Sequence, residues 1–323
     1  MKILVYGAGV LGSQLAHVLV RGGNEVTLLA RGKRAEELEK DGVVIRHMFQ
    51  FKTTVDPVRV TRTLEVDDQY DLIFVVMKYN DFPSVLPILA DNQSSNIVIV
   101  GNNADARSMQ NFLEENSKVA KQVAFGFQVS GGKREKDRML SVGGGGGQMV
   151  IGSLDGDINF KPLLDQAFQH VKYKLNVLSD IDAWLKSHII PILMLNAVSF
   201  NEERELIKLD GNRKQIQHMI RAMDEGFSVL EAMGITIIPE IQAKMIRKHQ
   251  RMLYLLLKIY SMLPVHKLVA GSFGEIEALN NAFTDWKKTT GTPTPHWDVL
   301  KRDYTPLKWS IAHSLHTDYN KTN

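Results

Sequence analysis

Three glycines at fixed spacing, Gly7, Gly9 and Gly12, stand directly behind the apolar run Ile3-Leu4-Val5-Tyr6. The string Gly7-Ala8-Gly9-Val10-Leu11-Gly12 has the G-x-G-x-x-G form, and its chemistry is the holding of a pyrophosphate. The first glycine permits a tight turn out of a strand. The second lets a phosphate approach the backbone, and the third lets the following helix pack close to the strand. The free N–H groups of the helix start then face the phosphates, with the positive end of the helix dipole behind them. The context matches this use: a strand before, a helix after, and a helix stop at Gly22-Gly23.

The next strand bears on which dinucleotide is held. Glu25 to Ala30 reads as that strand, followed by Arg31, Gly32, Lys33 and Arg34. An NAD site usually places Asp or Glu about 20 residues beyond the glycines, on the ribose 2′-hydroxyl. Here Arg31 occupies the place, and a guanidinium can bind a 2′-phosphate through two hydrogen bonds. NADP(H) is the expected cofactor. A solvated charge run at the start of a surface helix suits Lys33 and Arg34 well and Arg31 poorly.

These residues need elements to hold them. Residues 1–178 alternate between strand-like and helix-like segments. Asp71 to Met77 and Asn96 to Val100 are continuous apolar runs, as strands buried on both faces should be. This is the α/β pattern of a doubly wound parallel sheet of Rossmann type, whose ligands bind at the carboxyl ends of the strands. Lys78 and Asn102 sit at such ends. Shorter strands are expected at 123–129, 138–142 and 148–151. Gly143 to Gly147 lies between the last two. It lacks the Lys-Ser/Thr ending of a P-loop and no helix follows it, so a hairpin connection is expected.

From about Ile181 the strand signals cease. Residues 181–200, 213–233, 238–262 and 273–290 read as helices, with a short helical tail after Thr292-Pro293-Thr294-Pro295. Trp184, Ile189, Ile192 and Leu195 mark a buried face at helical spacing. The expected domains are a dinucleotide-binding domain over 1–179 and an all-helical domain over 180–323. The cleft between them is the expected active site. Helical second domains often supply a dimer face, and a homodimer through this one is the corresponding expectation.

Composition narrows the function classes. The chain has 323 residues, 44% hydrophobic and 23% charged, with a net charge of +3. No bulk electrostatic argument points to nucleic acid or a membrane surface. There are no cysteines, which excludes disulfides, thiolate catalysis and Cys-ligated metal sites. No His/Asp/Glu cluster has metal-ligand spacing, and no metal is expected. The first strand begins at once, so no secretory leader is expected. The apolar stretch Ile189 to Phe200 is too short to span a bilayer. A cytoplasmic protein is the expectation.

The whole pattern resembles the ketopantoate reductase (2-dehydropantoate 2-reductase) family. The resemblance rests on the glycine motif, Arg31, Met77-Lys78, Gly101-Asn102-Asn103 and Trp184-Leu185-Lys186. It rests also on Gly274-Glu275-Ile276-Glu277-Ala278-Leu279-Asn280 followed by Gly291 to Pro295. It implies NADPH-dependent reduction of a 2-keto acid to a 2-hydroxy acid. Lys186 would be the proton donor. Asn102 would lie near the nicotinamide ribose, Lys78 would help bind the cofactor, and Glu275 would reach the cofactor at the cleft.

Some positions depart from the family. Members acting on ketopantoate carry asparagines four and eight residues after the lysine, where this chain has Ile190 and Met194. Asn196 is displaced and should face another side of the helix. The serine-rich substrate loop is reduced to Ser261-Met262-Leu263. Ile190, Met194 and Ser261 are thus the expected substrate-lining residues, in a paralogue with a more apolar pocket. Met252 and Met262 are further candidates for such a lining.

Reduction of a ketone makes an alkoxide, which something must neutralise. Lys186 can donate the proton, and its charge also stabilises the developing oxyanion. His188 is a second candidate, but it stands two positions away and should face elsewhere, as a structural histidine would. Glu275 and Glu277 likewise point to different sides of one helix. Two other readings stay open: an NADP-dependent oxidoreductase on a different, more apolar carbonyl, and a non-catalytic NADP(H)-binding sensor.

Overall fold

The computed structural model describes residues 1–135, 138–142, 146–197, 212–262 and 272–304. Gly143–Gly145 of the glycine run, residues 198–200 of the first expected helix and Leu263 lie outside the described residues. The chain falls into two compact units, one ending at Leu185 and one beginning at Lys186.

The first unit is built on strands too apolar to face water. β1 (Lys2–Tyr6), β2 (Glu25–Leu29), β5 (Arg59–Thr61), β6 (Leu72–Val76), β7 (Asn96–Val100), β8 (Gln122–Gln128), β11 (Gln148–Gly152) and β12 (Lys174–Val177) form one sheet, in the order β12-β11-β8-β7-β6-β1-β2-β5. All pairings are parallel except β8 with β11. The five residues of β6 are all buried, as a strand covered on both faces requires. α1 (Val10–Arg21), α2 (Gly32–Asp41), α3 (Phe82–Asp91), α4 (Ala106–Asn116) and α5 (Lys161–Phe168) connect the strands. Leu15, Ala16 and Leu19 of α1 join the strand residues Ile3, Val5, Phe74 and Val98 in one core. The strand order reverses at the β1–β6 pair, the place where such sheets bind ligands.

A second, four-stranded sheet adds to this unit. It comprises β3 (Val43–His47), β4 (Lys52–Asp56), β9 (Gly131–Arg134) and β10 (Met139–Val142), in the order β4-β3-β10-β9. β3 and β10 pair in parallel, with Ile45 opposite Met139. Asp56 ties this sheet to α1: it contacts His17 Nδ1 at 2.5 Å and accepts from Arg21 Nε at 2.9 Å.

Among the described residues strands cease after β12, as expected. α6 (Ile181–Ala197) starts in the first unit, where the Asp180 carboxylate accepts from Ala183 N at 2.9 Å, and continues into the second. The second unit adds α7 (Arg213–Ala232), α8 (Glu240–Lys248), α9 (Gln250–Met262), α10 (Phe273–Thr290) and α11 (Pro295–Tyr304). The single helix expected over 238–262 is two: α8 ends at Lys248, its C-cap His249 has a φ of −123° that is not helical, and α9 begins at once. On α6, Ile189, Ile190, Leu193 and Met194 are buried, while Ile192 and Leu195, expected on the inner face, are only half-buried. Gly226 of α7 sets the approach here, since a Cβ on it would fall 2.7 Å from Ile190 Cγ2. Glu225 caps α11, accepting from His296 N and Trp297 N, both at 2.9 Å.

Candidate functional site

The glycine turn forms as its spacing requires. Gly7 has φ +116°, and a Cβ there would lie 2.3 Å from the Val76 carbonyl oxygen. Only glycine meets both demands. A Cβ on Gly12 would fall 1.9 Å from the Gly7 carbonyl oxygen, so α1 lies close against the turn. Gly9 differs: nothing stands within 4 Å of its Cβ position. It is the N-cap residue of α1 and, as glycine, brings no side chain to cap the first N–H groups. Open space before uncapped N–H groups is what an incoming pyrophosphate needs. Ala8, Val10 and Leu11 flank it, half-buried.

Two further strand ends adjoin the turn. Lys78 follows β6 and is exposed, at the N-cap of the 3₁₀ turn Tyr79–Asp81. Asn102 follows β7, half-buried, behind Gly101, whose Cβ would meet the Met77 carbonyl oxygen at 2.5 Å. The carboxyl ends of β1, β6 and β7 therefore gather Gly7, Lys78 and Asn102 at one edge of the sheet.

The basic cluster divides differently from the expectation. Arg31 is exposed and donates from Nη2 to the Tyr6 hydroxyl at 3.1 Å, which keeps it beside β1. Lys33 is exposed. Arg34, expected on a solvated face, instead has a side chain only 13% exposed. Its Nε donates to Ala8 O at 3.3 Å and its Nη2 to Ser13 Oγ at 3.1 Å. The reason is local: α2 starts at Gly32, Ala35 and Leu38 turn into the core, and Arg34 is drawn down beside them. Glu37 accepts from Arg34 at 3.3 Å and from Arg134 of β9 at 2.6 Å. Burial lowers the Arg34 pKa from its ordinary value, partly offset by the Glu37 contact. Sequence reading missed Arg34 because its signal, a basic residue in a charged run, is that of a surface helix.

The second unit holds the remaining candidates. Lys186 is half-buried on α6. Burial pushes the His188 imidazole down to about 4, so it is neutral near pH 7 and carries no imidazolium proton to give. Ile190 and Met194 are enclosed, at 0% and 2% exposure. Asn196 is buried and donates to Ile192 O at 2.8 Å, back into its own helix. Ser261 likewise donates to Lys258 O at 2.7 Å. Glu275 is buried in the first turn of α10, whereas Glu277 is half-buried.

Residues 3–156 match the family described as Ketopantoate reductase PanE/ApbA. An uncharacterized oxidoreductase, YkpB of Bacillus subtilis (strain 168), is 37% identical over 78 residues, 24% of this chain and 25% of that protein. The match thus spans about a quarter of the relative's length. Among solved structures, a D-mandelate dehydrogenase with NADH and anilino(oxo)acetate superposes with a TM-score of 0.71 at 18% identity, covering 99% of this chain and 100% of that one. A dimeric ketopantoate reductase from Staphylococcus aureus gives 0.66 at 13% identity, covering 98% and 99%. At such identities the likeness is one of fold.

Proposed function

Over residues 3–156 the chain belongs to the ketopantoate reductase PanE/ApbA family, and on that premise we propose that it reduces a 2-keto acid to a 2-hydroxy acid with NADPH. The observation that carries the reading is the open space at Gly9 before an uncapped helix start, with two arginines beside it. A bound nicotinamide supplies the hydride. The residues of this chain do the rest. Gly7 to Gly12 cradle the pyrophosphate, and Arg31, with Arg34 beside it, takes the 2′-phosphate. Lys78, Asn102 and Glu275 orient the cofactor. Lys186 gives its proton to the carbonyl oxygen and offsets the charge that develops there. In this reading 1–179 is the cofactor domain and 180–323 the substrate domain.

The substrate we assign has an apolar side chain. Ile190 and Met194 stand one and two helical turns beyond Lys186, on the same face of α6. Those two side chains offer no hydrogen bond to a substrate hydroxyl, and a polar group buried without a partner costs roughly 1–3 kcal/mol. Ser261 gives its proton to Lys258 O, so while that bond is kept it can serve a substrate only as an acceptor. We place the reaction in the cytoplasm, in keeping with a chain without cysteine. The partner we assign, besides substrate, is a second copy of the chain, held through the exposed apolar face of α9 that carries Leu255 and Ile259.

NADPH oxidation across a panel of 2-keto acids tests this. Aryl or branched-alkyl 2-keto acids should turn over faster than ketopantoate. Lys186→Ala should lower kcat by ~10²–10⁴ with little change in NADPH affinity. Brisk ketopantoate turnover would overturn the substrate assignment, and undiminished turnover by the variant would overturn the proton donor. Tight NADPH binding without turnover of any carbonyl would favour the sensor reading.

A further inference from the structure

Two loops at the carboxyl edge of the large sheet are tied to each other by side chains. One follows β6 and carries Lys78; the other follows β7 and carries Asn102. They run close together, since a Cβ on Gly101 would fall 2.5 Å from the Met77 carbonyl oxygen and 3.1 Å from Phe82 Cζ. Tyr79, the residue after Lys78, is buried, and its hydroxyl donates to Asp105 Oδ2 on the other loop. Asp105 N in turn donates to Asn103 Oδ1 at 2.9 Å. Asn103, the residue after Asn102, is 1% exposed, and its amide nitrogen meets Met109 Sδ of α4 at 3.3 Å. A chain of bonds thus runs from the residue after Lys78 to the residue after Asn102.

Asp105 shows that this tie is not helix chemistry. It is the N-cap of α4. An aspartate there ordinarily accepts from the first free N–H groups of its own helix. The Asp105 side chain makes no such bond. Its carboxylate serves Tyr79 of the neighbouring loop instead. A hydrogen bond to a carboxylate is charge-assisted and is the stronger kind.

We propose that Tyr79 and Asp105 are positioning residues. Their bond fixes the span between Lys78 and Asn102, and through those two it sets how firmly the nicotinamide half of the cofactor is held. This rests on the reading that Lys78 and Asn102 orient the cofactor. Tyr79 and Asp105 themselves touch neither cofactor nor substrate.

Fluorescence titration with NADPH, and calorimetric titration with adenosine 2′,5′-bisphosphate, test this on the full chain. The bisphosphate lacks the nicotinamide half. Tyr79→Phe keeps the ring and removes the donor. Asp105→Ser keeps an oxygen able to cap α4, and its side chain ends one bond short of the Asp105 carboxylate oxygens. Each should weaken NADPH by about threefold or more, the scale of one hydrogen bond. Each should leave the bisphosphate unchanged, because that fragment rests on the glycine turn and Arg31. Asp105→Asn, whose amide oxygen can still accept from Tyr79, should bind NADPH nearly as the parent does. In a chain already carrying Lys78→Ala and Asn102→Ala, Tyr79→Phe should weaken NADPH no further.

The proposal is overturned if Tyr79→Phe and Asp105→Ser bind NADPH as the parent does, or if they weaken both ligands alike. It is overturned too if Asp105→Asn fares no better than Asp105→Ser, or if Tyr79→Phe has its full effect in the doubly substituted chain. Each of those results leaves cofactor binding by the parent intact. A parent that binds neither NADPH nor the bisphosphate would instead remove the cofactor reading, and the role of this tie with it.

Discussion

Gly9 separates ligand from fold at the scale of one residue. Its Cβ position is empty, whereas those of Gly7 and Gly12 run into backbone. Gly9→Val should therefore leave the circular dichroism spectrum and melting temperature close to those of the parent while abolishing NADPH binding. Tight NADPH binding by the folded variant would place the cofactor elsewhere. Arg31 bears on cofactor choice. NADPH should bind at least tenfold tighter than NADH, about 1.4 kcal/mol, and Arg31→Ala should erase most of the gap in a fluorescence titration. Equal affinities in the parent would defeat the assignment. His188 carries a pH signature. Its folded-state value of about 4 lies below the ordinary 6.5, so between those values the unfolded chain binds the extra proton. Stability should then fall as pH drops from about 6.5 to about 4, by about 1.4 kcal/mol per unit at most. His188→Leu should flatten that part of the urea-denaturation profile; an unchanged profile would show that other groups dominate acid unfolding.

Among the elements, the contact of α6 with α7 is the tightest test of packing. A methyl on Gly226 would meet Ile190 Cγ2 at 2.7 Å and Trp297 Cζ3 at 3.2 Å. Gly226→Ala should destabilise by about 1–3 kcal/mol through overpacking, and Ile190→Val in the same chain, which removes the Cδ1 that the methyl would meet at 3.1 Å, should recover part of the loss. Additive losses in the double variant would show that the two positions do not share this space. The elements also show what a sequence can tell. The strands around the glycine turn were legible, because β1, β6 and β7 are continuous apolar runs bounded by turn residues. Of the small sheet only β10 was, as the strand expected over 138–142. β3 and β4 are five residues each and mix charged with apolar positions. The partner that receives β3, β10, lies far along the chain, and pairing of that kind leaves no local periodicity. The break at His249 was hidden for a related reason: apolar residues continue at helical spacing on both sides of it. At the site, Gly7 to Gly12 announced themselves by spacing, while Arg34 could be read only once Ala35 and Leu38 had fixed which way α2 faces.

At the scale of the whole molecule, the apolar face of α9 calls for a partner. Met252, Leu255, Leu256, Ile259 and Met262 are 49%, 57%, 50%, 46% and 68% exposed, and their spacing puts them along one helical stripe. Contiguous exposed apolar surface of this kind marks an association site. For the proposed dimer, Leu255→Glu with Ile259→Lys should shift the light-scattering mass to that of one chain and leave NADPH affinity unchanged. A parent already monomeric at micromolar concentration would dispose of the dimer. The pairing of Ile45 with Met139 has a consequence for how the chain is made. While the ribosome has produced only the first hundred or so residues, the hairpin of β3 and β4 has one flank with no strand to receive its hydrogen bonds. Roughly ninety residues separate the two partners, a long-range closure of the sort that slows folding. The nascent chain thus carries an open, sticky strand edge through much of its synthesis, and nascent chains arrested before β10 emerges should be the ones most readily captured by chaperones.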